Sequence, residues 1–352
     1  MSQKTIVWSV VLSVLAFAWL GAQERLPPPA TKTSQEKMEK AEQAMRRKDT
    51  KTALALYREV MQAEPDYAPA YLLAAGAHRL IRDNDQALAL LEKALQIQPE
   101  FGPALAESID LLNSLAHEMS AQNQPDKALV YYARIADLPG LEKSRKAAFI
   151  EAVYNTGISA FQAQRYEKSA EAFRRMLVIP NIENETRQQY VLAHYMMGVD
   201  LDMLRQPDES SVYLRKYLEL MGPESADSFA PVARFLVAQH EYALLEKEVA
   251  RLKSDTSITD LKARTRELAQ AHGVIPELIQ KAIAARPDIE DAYVILSNYY
   301  YYARDLERAI AACQALIEKF PNSPSLDVYR NFLKKMGDEK QGQAAEGEKK
   351  AA

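Results

Sequence analysis

Apolar side chains recur along most of this chain at alternating spacings of three and four, the period of a helix with one buried face. Ala53, Tyr57 and Val60 stand four and three apart, and so do Ala87, Leu91 and Ala94, and again Ala309, Cys313 and Leu316. Pro65, Pro99 and Pro321 close the three runs, as expected of a residue that cannot continue a helix. Alternation of β-branched and polar residues is absent beyond about residue 20, so the pattern predicts helices and almost no sheet. The segment LPPPATK, 26–32, reads as a stiff extended spacer, and Thr33 with Glu36 has the spacing of a capping box that opens the first helix.

The helical phrases repeat. TALALYREVMQAEP and QALALLEKALQIQP superimpose at an offset of 34 residues, and AIAACQALIEKFP restates the phrase near the far end. In the middle of the chain the interval stretches to 41: Ala128, Ser169 and Ser210 correspond, as do Ala116, Gly157 and Gly198 upstream of them. Seven extra residues are nearly two helical turns, so lengthening a helix by that amount keeps its apolar stripe on the same side. GPALAESIDLLNSLAHEM, beginning near Pro103, reads as such a lengthened first helix.

This pattern resembles the tetratricopeptide repeat. The best match, Tyr154 to Leu177, has Gly157 at the family's eighth place, Tyr166 at the seventeenth, Ser169 at the twentieth and Phe173 at the twenty-fourth, while Met176 departs from the small twenty-seventh residue. The resemblance implies an all-α fold, a right-handed α-solenoid of antiparallel helix pairs in which several units have a lengthened first helix. Units are expected near 34–67, 68–101, 109–142, 150–183, 191–224, 256–289 and 290–323, with an irregular helix pair over 225–255 where the small residues fall out of register. A capping helix over 324–336 and a disordered, charged tail over 337–352 complete the reading.

Residues 1–22 carry an address. Lys4 is the only early charge, Ile6 to Leu20 is apolar apart from two serines, and Gly21-Ala22 precedes Gln23. Two readings stand, a cleaved export signal that delivers the chain to the periplasm or cell envelope, and an inner-membrane tether through residues 5–22, followed in either case by a Pro-rich linker over 23–33. Net charge is -4, so there is no broad basic face for nucleic acid.

Chemistry is sparse. His78, His117, His194, His240 and His272 are scattered singly and are expected on helix faces, and no metal-binding, phosphate-cradling or nucleophile-elbow motif occurs. The sequence therefore points to no catalytic residue, metal or cofactor, and Cys313 is expected as an inert buried thiol. What the resemblance does imply is a concave groove lined by first helices. Carried over, its places fall on Glu151, Tyr154, Ile158 and Phe161, on Leu192, Tyr195, Val199 and Asp202, and on Tyr301 in the last unit. The implied function is a protein-interaction scaffold that takes a partner protein or peptide in that groove. The rival readings are a structural protein that self-associates as a homo-oligomer and an enzyme with an unrecognised site. The family's variant that grips a C-terminal carboxylate is not matched, since Asn113 and Asn155 lack Lys and Arg companions.

Overall fold

The structure is a computed structural model describing residues 26–351 other than 224 and 226, and among these residues every regular element is a helix. The expected leader or anchor over 1–22 lies outside the described residues. No helix among the described residues is long and apolar enough to cross a membrane. The chain divides into two compact units, 1–152 and 153–352. In the first, α1 (Lys32–Arg46) is followed by α2 (Thr50–Ala63), α3 (Ala68–Leu80) by α4 (Asn84–Ile97), and α5 (Gly102–Ala121) by α6 (Pro125–Ala136). The single turn α7 (Leu141–Ser144) leads into α8 (Lys146–Gln162). The second unit takes up the rest of α8 with α9 (Tyr166–Leu177), the single turn α10 (Ile182–Glu185), α11 (Arg187–Met203), α12 (Pro207–Met221) and α13 (Ala230–Ser254). It ends with α14 (Leu261–Ala271), α15 (Val274–Ala285), α16 (Glu290–Tyr302), α17 (Leu306–Lys319) and α18 (Leu326–Ala351).

Six antiparallel pairs, α1–α2, α3–α4, α5–α6, α8–α9, α11–α12 and α16–α17, close on two small residues twelve apart. Ala41 meets this requirement with Ala53, Ala75 with Ala87, Ala116 with Ala128, and Ser297 with Ala309, all essentially without exposure. Removing side-chain bulk at the crossing lets two helix axes approach closely, and dense packing around the crossing follows. In the pairs α8–α9 and α11–α12 the first partner is glycine. A Cβ on Gly157 would stand 2.7 Å from the Phe173 ring, and one on Gly198 would stand 2.5 Å from Leu214 Cγ and 3.2 Å from its backbone nitrogen. Serine then adds a polar stitch. Ser169 Oγ donates to the Gly157 carbonyl at 3.1 Å and Ser210 Oγ to the Gly198 carbonyl at 2.8 Å. In the α16–α17 pair the direction reverses, with Ser297 Oγ donating to the Ala309 carbonyl at 3.1 Å.

The turns within these pairs share one geometry. Lys48, Arg82, Asn123, Gln164, Arg205 and Arg304 all adopt positive φ between 56° and 63°. In each turn the next residue donates its backbone N–H five residues back, as Asp49 does to Ala44 and Asp305 to Tyr300, both at 2.9 Å. That bond satisfies a helix-end carbonyl that would otherwise face away from any donor. Asp49, Asp83 and Asp305 then cap the second helix through their carboxylates.

Several expectations need correction. The first helices are lengthened, with 20 residues in α5 and 17 in α8 and α11 against 13 in α3. The insertions do not go wholly into them, because part forms the single turns α7 and α10. Both turns start from left-handed residues 41 apart, Gly140 at φ 70° and Asn181 at φ 66°. The irregular pair over 225–255 is instead one helix of 25 residues, α13. Its only proline, Pro231, sits in the first turn, and no glycine or turn residue follows to break it. The unit over 256–289 is not a pair of α14 with α15. Rather, α15 packs mainly on α13, since Ile275, buried at the place where a small residue is needed, denies α14 a close crossing.

At the start, the first helix is capped by Thr31, whose hydroxyl accepts from the Ser34 N–H at 3.2 Å, two residues ahead of the expected box. The Pro-rich segment is docked rather than free. Tyr67 Oη donates to the Pro27 carbonyl at 2.6 Å, and the Glu64 carboxylate accepts from the backbone of Ala30 and Thr31. At the other end, α18 runs through the expected tail to Ala351. Its composition of Ala, Glu, Lys and Gln favours helix, and three ion pairs hold the stretch after Gly337, Glu339 with Arg304 and, at 3.7 Å, with Lys262, and Lys340 with Glu307.

Replacing Gly198 with Ala should destabilise the second unit by about 1–3 kcal/mol, because overpacking outweighs the roughly 1 kcal/mol that alanine gains in helix propensity. Thermal unfolding followed by circular dichroism measures it, and a variant as stable as the parent would contradict the close-crossing account.

Candidate partner-binding surface

The expected groove residues fall into three groups. Tyr154, Ile158 and Phe161 on α8, and Leu192 and Val199 on α11, are each half-buried, so part of each apolar side chain remains at the surface. Tyr154 sets its ring edge against Phe173 at 6.2 Å, and Phe161 against Tyr166 at 5.9 Å. Burial pushes the Tyr154 hydroxyl pKa up, so it stays neutral across the physiological range. Glu151 is exposed and belongs to the first unit.

Tyr195 is a correction. It is only 8% exposed, with its ring against Tyr217 at 5.3 Å and Phe229 at 4.7 Å. Phe229 immediately precedes α13, and the long helix brings this aromatic over the place that a partner was expected to fill. Asp202 is likewise engaged, accepting from His240 Nε2 at 2.8 Å. In the last unit Tyr301 is partly exposed, between the Arg304 guanidinium at 5.8 Å and the Lys335 ammonium at 5.4 Å, with Phe332 edge-on at 5.2 Å.

The sequence reading missed a polar seam on α13. His240 bonds Asp202 of α11 through Nε2 and Ser211 of α12 through Nδ1 at 3.0 Å. Next to it in sequence, Glu241 pairs with Arg215 of α12 and with His272 Nδ1 at 3.0 Å, and His272 Nε2 reaches Glu248 at 3.3 Å. Single histidines far apart in sequence gave no signal because their partners lie 24 to 38 residues away on other helices. Ser211, His240 and Asp202 stand in the bonding order of a hydrolytic triad, yet Ser211 is the fifth residue of α12, beyond the first turn whose N–H groups are unbonded. The helical backbone around it therefore offers no donor pair for an oxyanion. The seam ties α11, α12 and α13 to one another and to the end of α14.

One buried acid stands apart. Asp200 on α11 is fully buried, and neither carboxylate oxygen has a hydrogen-bond partner among the described residues. Ser169 lies nearby but spends its proton on the Gly157 carbonyl. Burial pushes the Asp200 carboxyl from 3.8 up to about 7. Cys313 is buried as expected, and burial pushes its thiol pKa up.

With helix pairs of this kind repeating at 34 and 41 residues, comparison with known families decides the class. Tetratricopeptide-repeat profiles match residues 44–107 and 291–323. The chain contains tetratricopeptide repeats. Among solved structures, this repeat protein is similar to the C-terminal part of a TPR repeat-containing protein from Cytophaga hutchinsonii, at 12% identity over 83% of this chain and 98% of that one, with a TM-score of 0.41. It is similar to PilF of Pseudomonas aeruginosa at 15% identity over 75% of this chain and 96% of that one, TM-score 0.41. A third is YrrB, described as a TPR protein with an unusual peptide-binding site, at 15% identity over 78% of this chain and 97% of that one, TM-score 0.33. No curated protein matches the chain.

The raised carboxyl of Asp200 fixes a sign. Folding favours its protonated form, so the residue is harmless below pH 4 and destabilises progressively as pH rises from about 4 to about 7. Asp200→Asn should match the parent in melting temperature at pH 4 and exceed it by roughly 5 °C at pH 8. A gap that stays constant across that range would rule out a titrating carboxylate at this site.

Proposed function

We propose that this protein is an exported scaffold that holds a segment of a partner protein against the apolar first-helix residues of its central repeats. Tetratricopeptide repeats are interaction modules, generally without catalytic groups, and the bonds of His240 and His272 tie helices together. The observation that carries the finer reading is the recurrence of half-buried apolar side chains at equal places 41 residues apart, Ile158 with Val199, flanked by Tyr154, Phe161 and Leu192. A helix face that only solvated the molecule would carry polar groups there, so a partner with its own apolar stripe fits it. Tyr195 and Asp202 are left out of this surface because their side chains are already engaged.

Export rests on the apolar run Ile6 to Leu20 and the small residues after it. The mass of the N-terminal peptide from the natively expressed protein tests it: a start near Gln23 supports a released scaffold, and an intact Ile6 to Leu20 segment replaces it with a tethered one.

The surface is tested with Ile158→Ser, Leu192→Ser and Val199→Ser combined. Partner retained by the immobilised parent from an envelope extract should fall by about tenfold with the variant, with helicity by circular dichroism unchanged. Equal retention by a fully helical variant would remove these residues from the binding surface.

A further inference from the structure

We infer that Asp200 is a pH-sensitive latch at the junction between the α8–α9 and α11–α12 repeats, closed while its carboxyl is protonated and loosened when the carboxylate forms. The latch itself stands on the geometry of the junction. Its consequence for binding rests on the proposed surface, which has one half on each side of that junction: Tyr154, Ile158 and Phe161 on α8, Leu192 and Val199 on α11. Val199 is the immediate neighbour of Asp200 in sequence.

The starting point is an acid in apolar surroundings. Asp200 has no exposure, its two oxygens have no hydrogen-bond partner among the described residues, and the helix that carries it packs on α9. Buried carboxylates in folded proteins are paired or hydrogen-bonded in the great majority of cases, because an ionised one left bare is strongly destabilising. Nothing in the junction balances such a charge. On α9 the side chain that faces Asp200 is Ser169, whose proton is already engaged by the Gly157 carbonyl. The charged side chains of α9 and α10 are all exposed, and on α12 the one that is not, Lys216, pairs with Glu219 at 2.9 Å. The histidine and the other acid of α11 are engaged as well, His194 with the Tyr190 carbonyl at 2.9 Å and Asp202 with His240.

The packing decides where the strain goes. Within each repeat the crossing has no slack, since a Cβ on Gly157 or on Gly198 would already overlap the facing helix. An ionised Asp200 needs water, and a close-packed interior admits none without parting its elements. The place that can part is the contact between the repeats, where Asp200 itself lies. The carboxyl titrates near 7 when the junction is closed and near 3.8 when it is open to water. Opening is therefore unassisted below about pH 4, grows easier as pH rises toward about 7, and is fully assisted above that. The two halves of the surface are held in fixed register at low pH and released from it at high pH.

Hydrogen–deuterium exchange on the full chain tests the latch, with rates normalised to those of an unstructured peptide at each pH. Amides of α9 and α11 should open about tenfold or more often at about pH 8 than at about pH 5.5. Over the same range α1 to α4 should stay unchanged, and Asp200→Asn should remove the difference. Equal protection of the parent at both pH values, the same pH dependence in Asp200→Asn, or a change spread evenly over α1 to α4 would overturn the latch. Exchange involves no partner, so this outcome is independent of whether Ile158, Leu192 and Val199 form a binding surface. The consequence is read separately: partner retention by the parent should be weaker at the higher pH, and Asp200→Asn should hold equally at both. Exchange that changes while retention does not would overturn the coupling of the latch to the surface.

Discussion

The structure depends on how closely two helices can approach at a crossing made by two residues twelve apart. With alanine, serine or glycine at both places, the axes come near enough for the neighbouring large side chains, Tyr57, Leu91, Phe173 and Leu214 among them, to be almost fully buried. At Gly198 the tolerance is below the size of one methyl group. A glycine inside a helix costs about 1 kcal/mol relative to alanine, and the sequence keeps one in α8 and in α11. The close crossing outweighs propensity there.

Much of the fold could be read from that same constraint, because small residues at fixed intervals are visible in a sequence when they repeat. The pairs up to Met221 and the pair α16–α17 were legible for this reason. Where the small residues vanish, the reading failed in a physically intelligible way. Over 225–255 periodicity was seen, but periodicity does not reveal whether one helix or two carries it, and the absence of a breaker after Pro231 was the better clue. At the C-terminus a composition rich in charge suggests disorder, although the same residues are good helix formers and ion pairs with Arg304, Lys262 and Glu307 fix Glu339 and Lys340 in place.

The candidate surface was half legible. Repeat register places Tyr154, Ile158, Phe161, Leu192 and Val199 at the surface of their helices, and they are half-buried there. Register could not show that Phe229 covers Tyr195, since Phe229 lies outside any repeat match. Nor could it find the bonds that His240 and His272 make, which join helices at separations no local pattern encodes. The long helix α13 accounts for both omissions. It interrupts the repeat, and it bonds to the helices before and after it through side chains that take the place of the missing small-residue crossings.

The serine stitches have a wider implication. Ser169 and Ser210 donate from the second helix to the first, whereas Ser297 donates from the first to the second, and the crossing geometry accommodates both. Two antiparallel helices in contact are related by a near two-fold axis through the crossing, so donor and acceptor can trade sides without disturbing the packing. The contact therefore carries no information about chain order. A helix needs a suitably shaped neighbour, not the next one along, and this is why α15 can pass over α14 and seat itself on α13.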